Sequence, residues 1–91
     1  MAAVIKIVER ADHSPSPEAN QYVVMYDHDG EYGRGLGEFS ANIEHALLFP
    51  DKAAAMEFWQ RTARWRATRP DGEPNRPLTA YTVEIEEITL L

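Results

Sequence analysis

Cysteine is absent from this 91-residue chain, and with it go disulfide frameworks, thiolate metal sites and cysteine nucleophiles. Long apolar runs are absent too. Met1 to Val8 lacks the stretch of a signal peptide, Lys6 and Glu9 break it up, and no later run approaches the length that crosses a membrane. These two absences lead us to expect a cytoplasmic protein with no membrane contact. Positive charge is scarce: nine Lys and Arg stand against fifteen Asp and Glu, for a net −6. A chain so acidic lacks the field that releases counterions from a nucleic-acid backbone, so direct nucleic-acid binding is disfavoured. The three histidines, His13, His28 and His45, are scattered without the His-x-x-x-His spacing of a zinc set. Ser14, Ser16 and Ser40 lack the glycine-flanked elbow that exposes a nucleophilic hydroxyl. No catalytic residue, metal ligand or cofactor is assigned on this basis, and the chain is not read as an enzyme.

What is present describes one small domain spanning residues 1–91. Hydrophobic residues make up 44% of it, but twelve are alanines, so the core must rest on the aromatic and branched side chains. Val4 to Glu9 is β-branched and alternating, with Ile5 and Ile7 on one face and Val4 and Val8 on the other, and reads as a first strand. Ser14-Pro15-Ser16-Pro17 cannot continue a ladder and marks a loop. Gln21 to Asp27 is a second strand, and the Asp29-Gly30 pair after it favours a tight reversal into a hairpin. Glu31 to Phe39 is interrupted by glycine and predicts a weak or bulged strand.

Ser40 to His45 reads as a helical turn capped by Ser40, followed by a short buried strand at Ala46 to Phe49. Asp51 is placed to cap a helix running from Lys52 to about Arg64. Its buried stripe is Ala55, Phe58, Trp59 and Thr62, flanked by Met56 and Ala63. Leu78 to about Leu90 is the cleanest strand, Tyr81, Val83 and Ile85 alternating inward, with a bulge or strand end near Glu87-Ile88. The expected architecture is α+β: a mostly antiparallel sheet of three to five strands with one main helix packed on one face. An edge strand in so small a sheet leaves homodimerisation open.

Charge is uneven along the chain. Residues 61–76 hold five arginines against Asp71 and Glu73, a local +3; the other four cations and thirteen anions leave −9 elsewhere. Arg64, Trp65, Arg66, Arg69 and Arg76 are the candidate partner-binding residues, because tryptophan and arginine lead interface hot spots. The loop Arg69 to Pro77, rich in proline and turn residues, should hold them on ordered backbone. Three structural readings compete: the arginines pair with the protein's own carboxylates, those in the last helical turn offset the helix dipole, and Trp65 caps the open end of the core.

Other motifs fall short of a site. Gly30, Gly33, Gly35 and Gly37 match no phosphate-cradle spacing, and no helix follows them. Asp27 to Glu38 has the length of a calcium loop but carries Tyr32 where glycine is needed; a cation there would use Asp27, Asp29 and Glu31. Pro74-Asn75-Arg76-Pro77 has Pro-x-x-Pro spacing, better read as a loop that aims the last strand.

The pieces Ala46-Leu47-Leu48-Phe49, Met56-Glu57-Phe58-Trp59, Arg69 to Ala80 and Thr82 to Glu86, in that order, resemble a family of small uncharacterised bacterial and phage proteins that share the Arg-Pro-Asp-Gly-x-Pro-Asn-Arg-Pro-Leu-Thr loop. The resemblance implies a closing β-α-β unit and directs attention to the loop, without carrying an activity. The leading expectation is therefore a non-enzymatic interaction module whose Trp/Arg patch contacts an acidic protein partner. The alternatives are an acidic decoy of phage type that mimics nucleic acid, and a small-ligand protein or minor enzyme centred near His28 or His45.

Overall fold

The structure, a computed structural model, describes residues 2–89. It holds a four-stranded antiparallel sheet, one main helix and short 3-10 turns, an α+β domain of the expected class. The strands are β1 (Ala2–Arg10), β2 (Tyr22–Asp27), β3 (Leu36–Ser40) and β4 (Tyr81–Ile88), ordered β3-β2-β1-β4 across the sheet. Placing β1 centrally follows from its composition: Ala3, Ile5 and Ile7 are fully buried and seed the core with Val23, Phe49, Ala55 and Leu78. β4 pairs along the whole of β1, from Ala2 opposite Ile88 to Arg10 opposite Tyr81. This long register brings the last strand beside the first.

The register shift on this pair lies in β1, between Ile7 and Glu9, where Val8 bulges out and is exposed. β4 itself runs unbroken to Ile88, so the broken alternation at Glu87-Ile88 marks its end. β4 starts at Tyr81, three residues later than expected, because Pro77–Ala80 forms a 3-10 turn, and the expected end at Leu90 lies outside the described residues. β2 and β3 form the predicted hairpin, closed at Asp27 opposite Leu36. The reversal is not the tight Asp29-Gly30 turn; the loop is longer and takes a left-handed path.

The helix α1 (Lys52–Trp59) starts where the sequence places it. The Asp51 carboxylate accepts from the Ala54 N–H at 2.8 Å and satisfies one of the free donors of the first turn. It ends five residues early, at Trp59. Ala55 is buried and Phe58 and Trp59 pack on the core, but Thr62 and Met56, expected on the buried side, face solvent. Ser40 does not cap the following turn: Ile43–His45 is a 3-10 turn capped by Asn42, whose side chain accepts from Glu44 N. Ala46 to Phe49 is not a strand either. Phe49 makes an isolated bridge with Ala3, Leu47 N–H donates to Val23 O, and Leu48 is exposed. The segment bonds to both β1 and β2 where their own pairing is limited to Lys6 opposite Tyr22, delivering Phe49 to the core without a continuous ladder.

Candidate functional site

The early end of α1 has a local cause, and that cause shapes the surface beyond it. Trp59 donates its indole N–H to Tyr81 O at 3.2 Å, anchoring the final turn to β4. The Phe58 carbonyl accepts from His28 Nε2 at 3.0 Å and also from the Arg61 N–H, and the Ala63 N–H turns outward to Asn75 O at 2.8 Å. Carbonyls and amides that would continue the helix are thus engaged by distant elements. Arg64 and Arg66 consequently lie outside the helix, and no basic residue sits in its last turn. Dipole compensation, the expected structural role for these cations, does not apply. Arg61 alone stays near, its guanidinium 5.0 Å from the centre of the Phe58 ring.

From Thr62 onward the chain is held by side chains of two loops. Asp29, before the Gly30–Gly33 turn, accepts the backbone N–H groups of both Arg64 and Trp65 on one carboxylate oxygen, the second at 2.8 Å. These two N–H groups hold the Asp29 carboxyl below its usual range, the Trp65 bond being the larger cause. Residues 67–75 form a small hairpin. The Asn75 N–H donates to Ala67 O, Arg69 N–H to Glu73 O and Gly72 N–H to Arg69 O, and the left-handed φ of Gly72, +88°, makes the reversal. Pro70 occupies the second position of that turn, as the sequence predicts. Pro74 bridges Thr68 and Pro77 is buried, so the Pro-x-x-Pro pair is structural.

A cross-brace links this hairpin to the glycine-rich loop. The Asn75 side-chain amide donates to Gly33 O at 2.7 Å. At Glu31, Tyr32 and Gly33 the backbone is left-handed for three residues running, a conformation costly for the first two. An added Cβ on Gly33 would stand 3.1 Å from the Arg66 Cβ and 3.3 Å from the Asn75 amide nitrogen. Glycine is needed there for close approach as well as for φ. The turn presents Tyr32, 73% exposed, beside Trp65, 62% exposed, with ring centroids 6.3 Å apart. Trp65 therefore covers no part of the core, and the capping role is corrected.

The five predicted residues do not share one depression. Arg66 and Arg69 border a hollow of about 130 Å³ floored by Gly33 and Asn75. Arg69 and Arg76 border a second, of about 280 Å³, that shares Asn75 with the first. Arg64 instead faces a third, of about 240 Å³, with His28, Asp29 and Arg61. Arg34, which sequence reasoning missed, lines both of the first two hollows. Its only signal was its position as the one cation in the glycine run. Among the described residues Arg69 pairs with Asp71 at 3.2 Å, both more than half exposed, while Arg34, Arg64, Arg66 and Arg76 make no ion pair. An exposed pair of this kind is worth little, so the surface keeps its positive charge.

His28 is buried, flanked edge-on by the Tyr26 and Phe58 rings at 4.9 and 4.8 Å. Because a carbonyl only accepts, Nε2 carries the hydrogen toward Phe58 O. Burial holds the imidazole below its ordinary pKa against the opposing pull of that hydrogen bond, and Arg61 adds to the lowering. Burial also raises the Tyr26 hydroxyl. His45 Nδ1 lies 3.0 Å from Ser40 Oγ, a local turn contact. Of the three acids considered for a cation, Asp27 is engaged by Asp29 N–H and Asp29 by the two N–H groups described above. No trio of metal-ligating side chains converges among the described residues.

Comparison with family models, with curated proteins and with solved structures finds no match. The surface must be interpreted from its own chemistry.

Proposed function

We propose that this chain is a non-enzymatic interaction module that contacts an acidic protein partner through Arg64, Trp65, Arg66, Arg69 and Arg76. The observation that carries the reading is the exposed indole of Trp65 on backbone fixed by Asp29. A large aromatic held in place ahead of binding spares the ordering entropy of a flexible anchor, and flanking guanidinium groups orient a negatively charged surface. Repulsion from the remaining −9 would select against extended polyanions that reach past the patch. The reading goes with a cytoplasmic location. Affinity capture from native lysate with wild type and with the double variant Arg66→Glu/Arg69→Glu tests it. One or more captured proteins should disappear with the double variant; identical capture profiles would refute it.

The decoy reading needs Asp27, Asp29, Glu31, Glu38, Glu84 and Glu86 to form one stripe. Asp29 faces the arginine surface, Glu38 lies on edge strand β3, and Glu84 and Glu86 lie on the opposite edge strand β4. Lys6, on β1 between them, pairs with Glu86 at 3.9 Å. That distribution favours the interaction module.

A further inference from the structure

Resting on that reading, we propose that the hollow bordered by Arg34, Arg66 and Arg69 receives a phosphoryl group carried on a side chain of the partner protein. Three arginines from two separate loops line a hollow of about 130 Å³, and only Arg69 has a carboxylate within ion-pair distance among the described residues. One carboxylate would balance one of these cations. A phosphate monoester brings a charge of about −1.5 to −2 at neutral pH and three acceptor oxygens, matching several planar forks at once.

The cradle is built before any ligand arrives. Asn75 ties the Gly33 carbonyl to the second loop, a Cβ on Gly33 would crowd the Arg66 Cβ at 3.1 Å, and the Asn75 N–H is bonded to Ala67 O. The loops that carry Arg34 and Arg66 are thus braced against each other. Tyr32 borders the same hollow and leans on Trp65, so the phosphoryl site continues into an aromatic platform for the residues around it. The two ring centroids, 6.3 Å apart with the planes tilted by 49°, leave no slot for a nucleobase sandwiched between them. With the surplus negative charge elsewhere, this favours a modified peptide over single-stranded nucleic acid.

The test is an amide NMR titration of the whole chain with inorganic phosphate, a phosphoserine peptide flanked by glutamates, its unphosphorylated counterpart, and oligothymidylate. Phosphate and the phosphopeptide should shift the amides of Gly33, Arg34 and Arg66 to Arg69. The phosphopeptide should bind at least tenfold tighter than the unphosphorylated peptide, and Arg34→Ala, which lies outside the five residues proposed above, should remove at least tenfold. Equal binding of the two peptides at Trp65 would overturn the phosphoryl site while leaving the interaction module standing. Oligothymidylate displacing the phosphopeptide would overturn it in favour of nucleic acid. No shift with any probe would also overturn it, and the capture experiment would then decide separately whether a partner exists.

Discussion

Asp29 does the most positional work of any single side chain near the surface, since one oxygen holds the backbone of both Arg64 and Trp65. Its carboxyl titrates below the ordinary value of 3.8, so the tether is intact above that pH and is lost as pH falls through the lowered value. Asp29→Ala should leave the sheet folded while the Arg64 and Trp65 amides lose protection from hydrogen exchange at neutral pH. His28 acts with the same sign in a higher pH range. Its imidazole binds a proton less readily in the folded chain than in the unfolded one, so its contribution is complete above the ordinary value of 6.5. That contribution falls away as pH drops from there toward the lowered value. By chemical denaturation, the stability that wild type has over His28→Gln should shrink as pH falls below about 6.5, and a pH-independent difference would contradict this. Gly33→Ala, placing a Cβ where φ is +86° and the Arg66 side chain stands, should cost about 1–2 kcal/mol in the same measurement.

The elements differ in how well their residues announced them, and the differences have physical sources. β1, β2 and β4 were legible because strand alternation is a local signal that tertiary packing here reinforces. The start of α1 was legible for a similar reason: an Asp51 cap needs only its own first turn, and Asp51→Ala should lower stability by about 1 kcal/mol, readable as a shift in denaturation midpoint. The end of α1 was not. Phe58, Trp59 and Arg61 continue a helical pattern, and the bonds to His28, Tyr81 and Asn75 that stop it come from residues 22 or more apart, or from a loop with no periodicity. Ala46 to Phe49 failed likewise, since an apolar run of four has the same composition whether it forms a ladder or fills a gap beside one. Of the candidate site, Trp65 and the clustered arginines were visible as composition. Arg34 was hidden because its place beside Arg66 depends on three left-handed residues, two of them not glycine, that no local preference would select.

For the whole molecule the organising fact is that a sheet covered by one helix is closed into a single body by chain-distant pairing. Its extents are 45 × 26 × 19 Å over the described residues, about the thickness of one sheet and one helix layer. Leu78, on the last 3-10 turn, is fully buried in the core, so Leu78→Ala should remove about 2–5 kcal/mol and loosen the β1–β4 closure as a unit. The local +3 of residues 61–76 should make an acidic partner's association weaken as ionic strength rises, an effect reduced by screening of the repulsion from the −9 elsewhere, whereas the aromatic contribution of Trp65 should persist. Both effects presuppose that the patch is rigid before binding. Backbone ¹⁵N relaxation at Trp65 and its neighbours in the free protein measures this directly. An order parameter of about 0.8 or above for residues 64–69, with Trp65 quenched readily by acrylamide, is the predicted result. A value below about 0.6 there, or an indole shielded from the quencher, would contradict a pre-formed solvent-facing anchor.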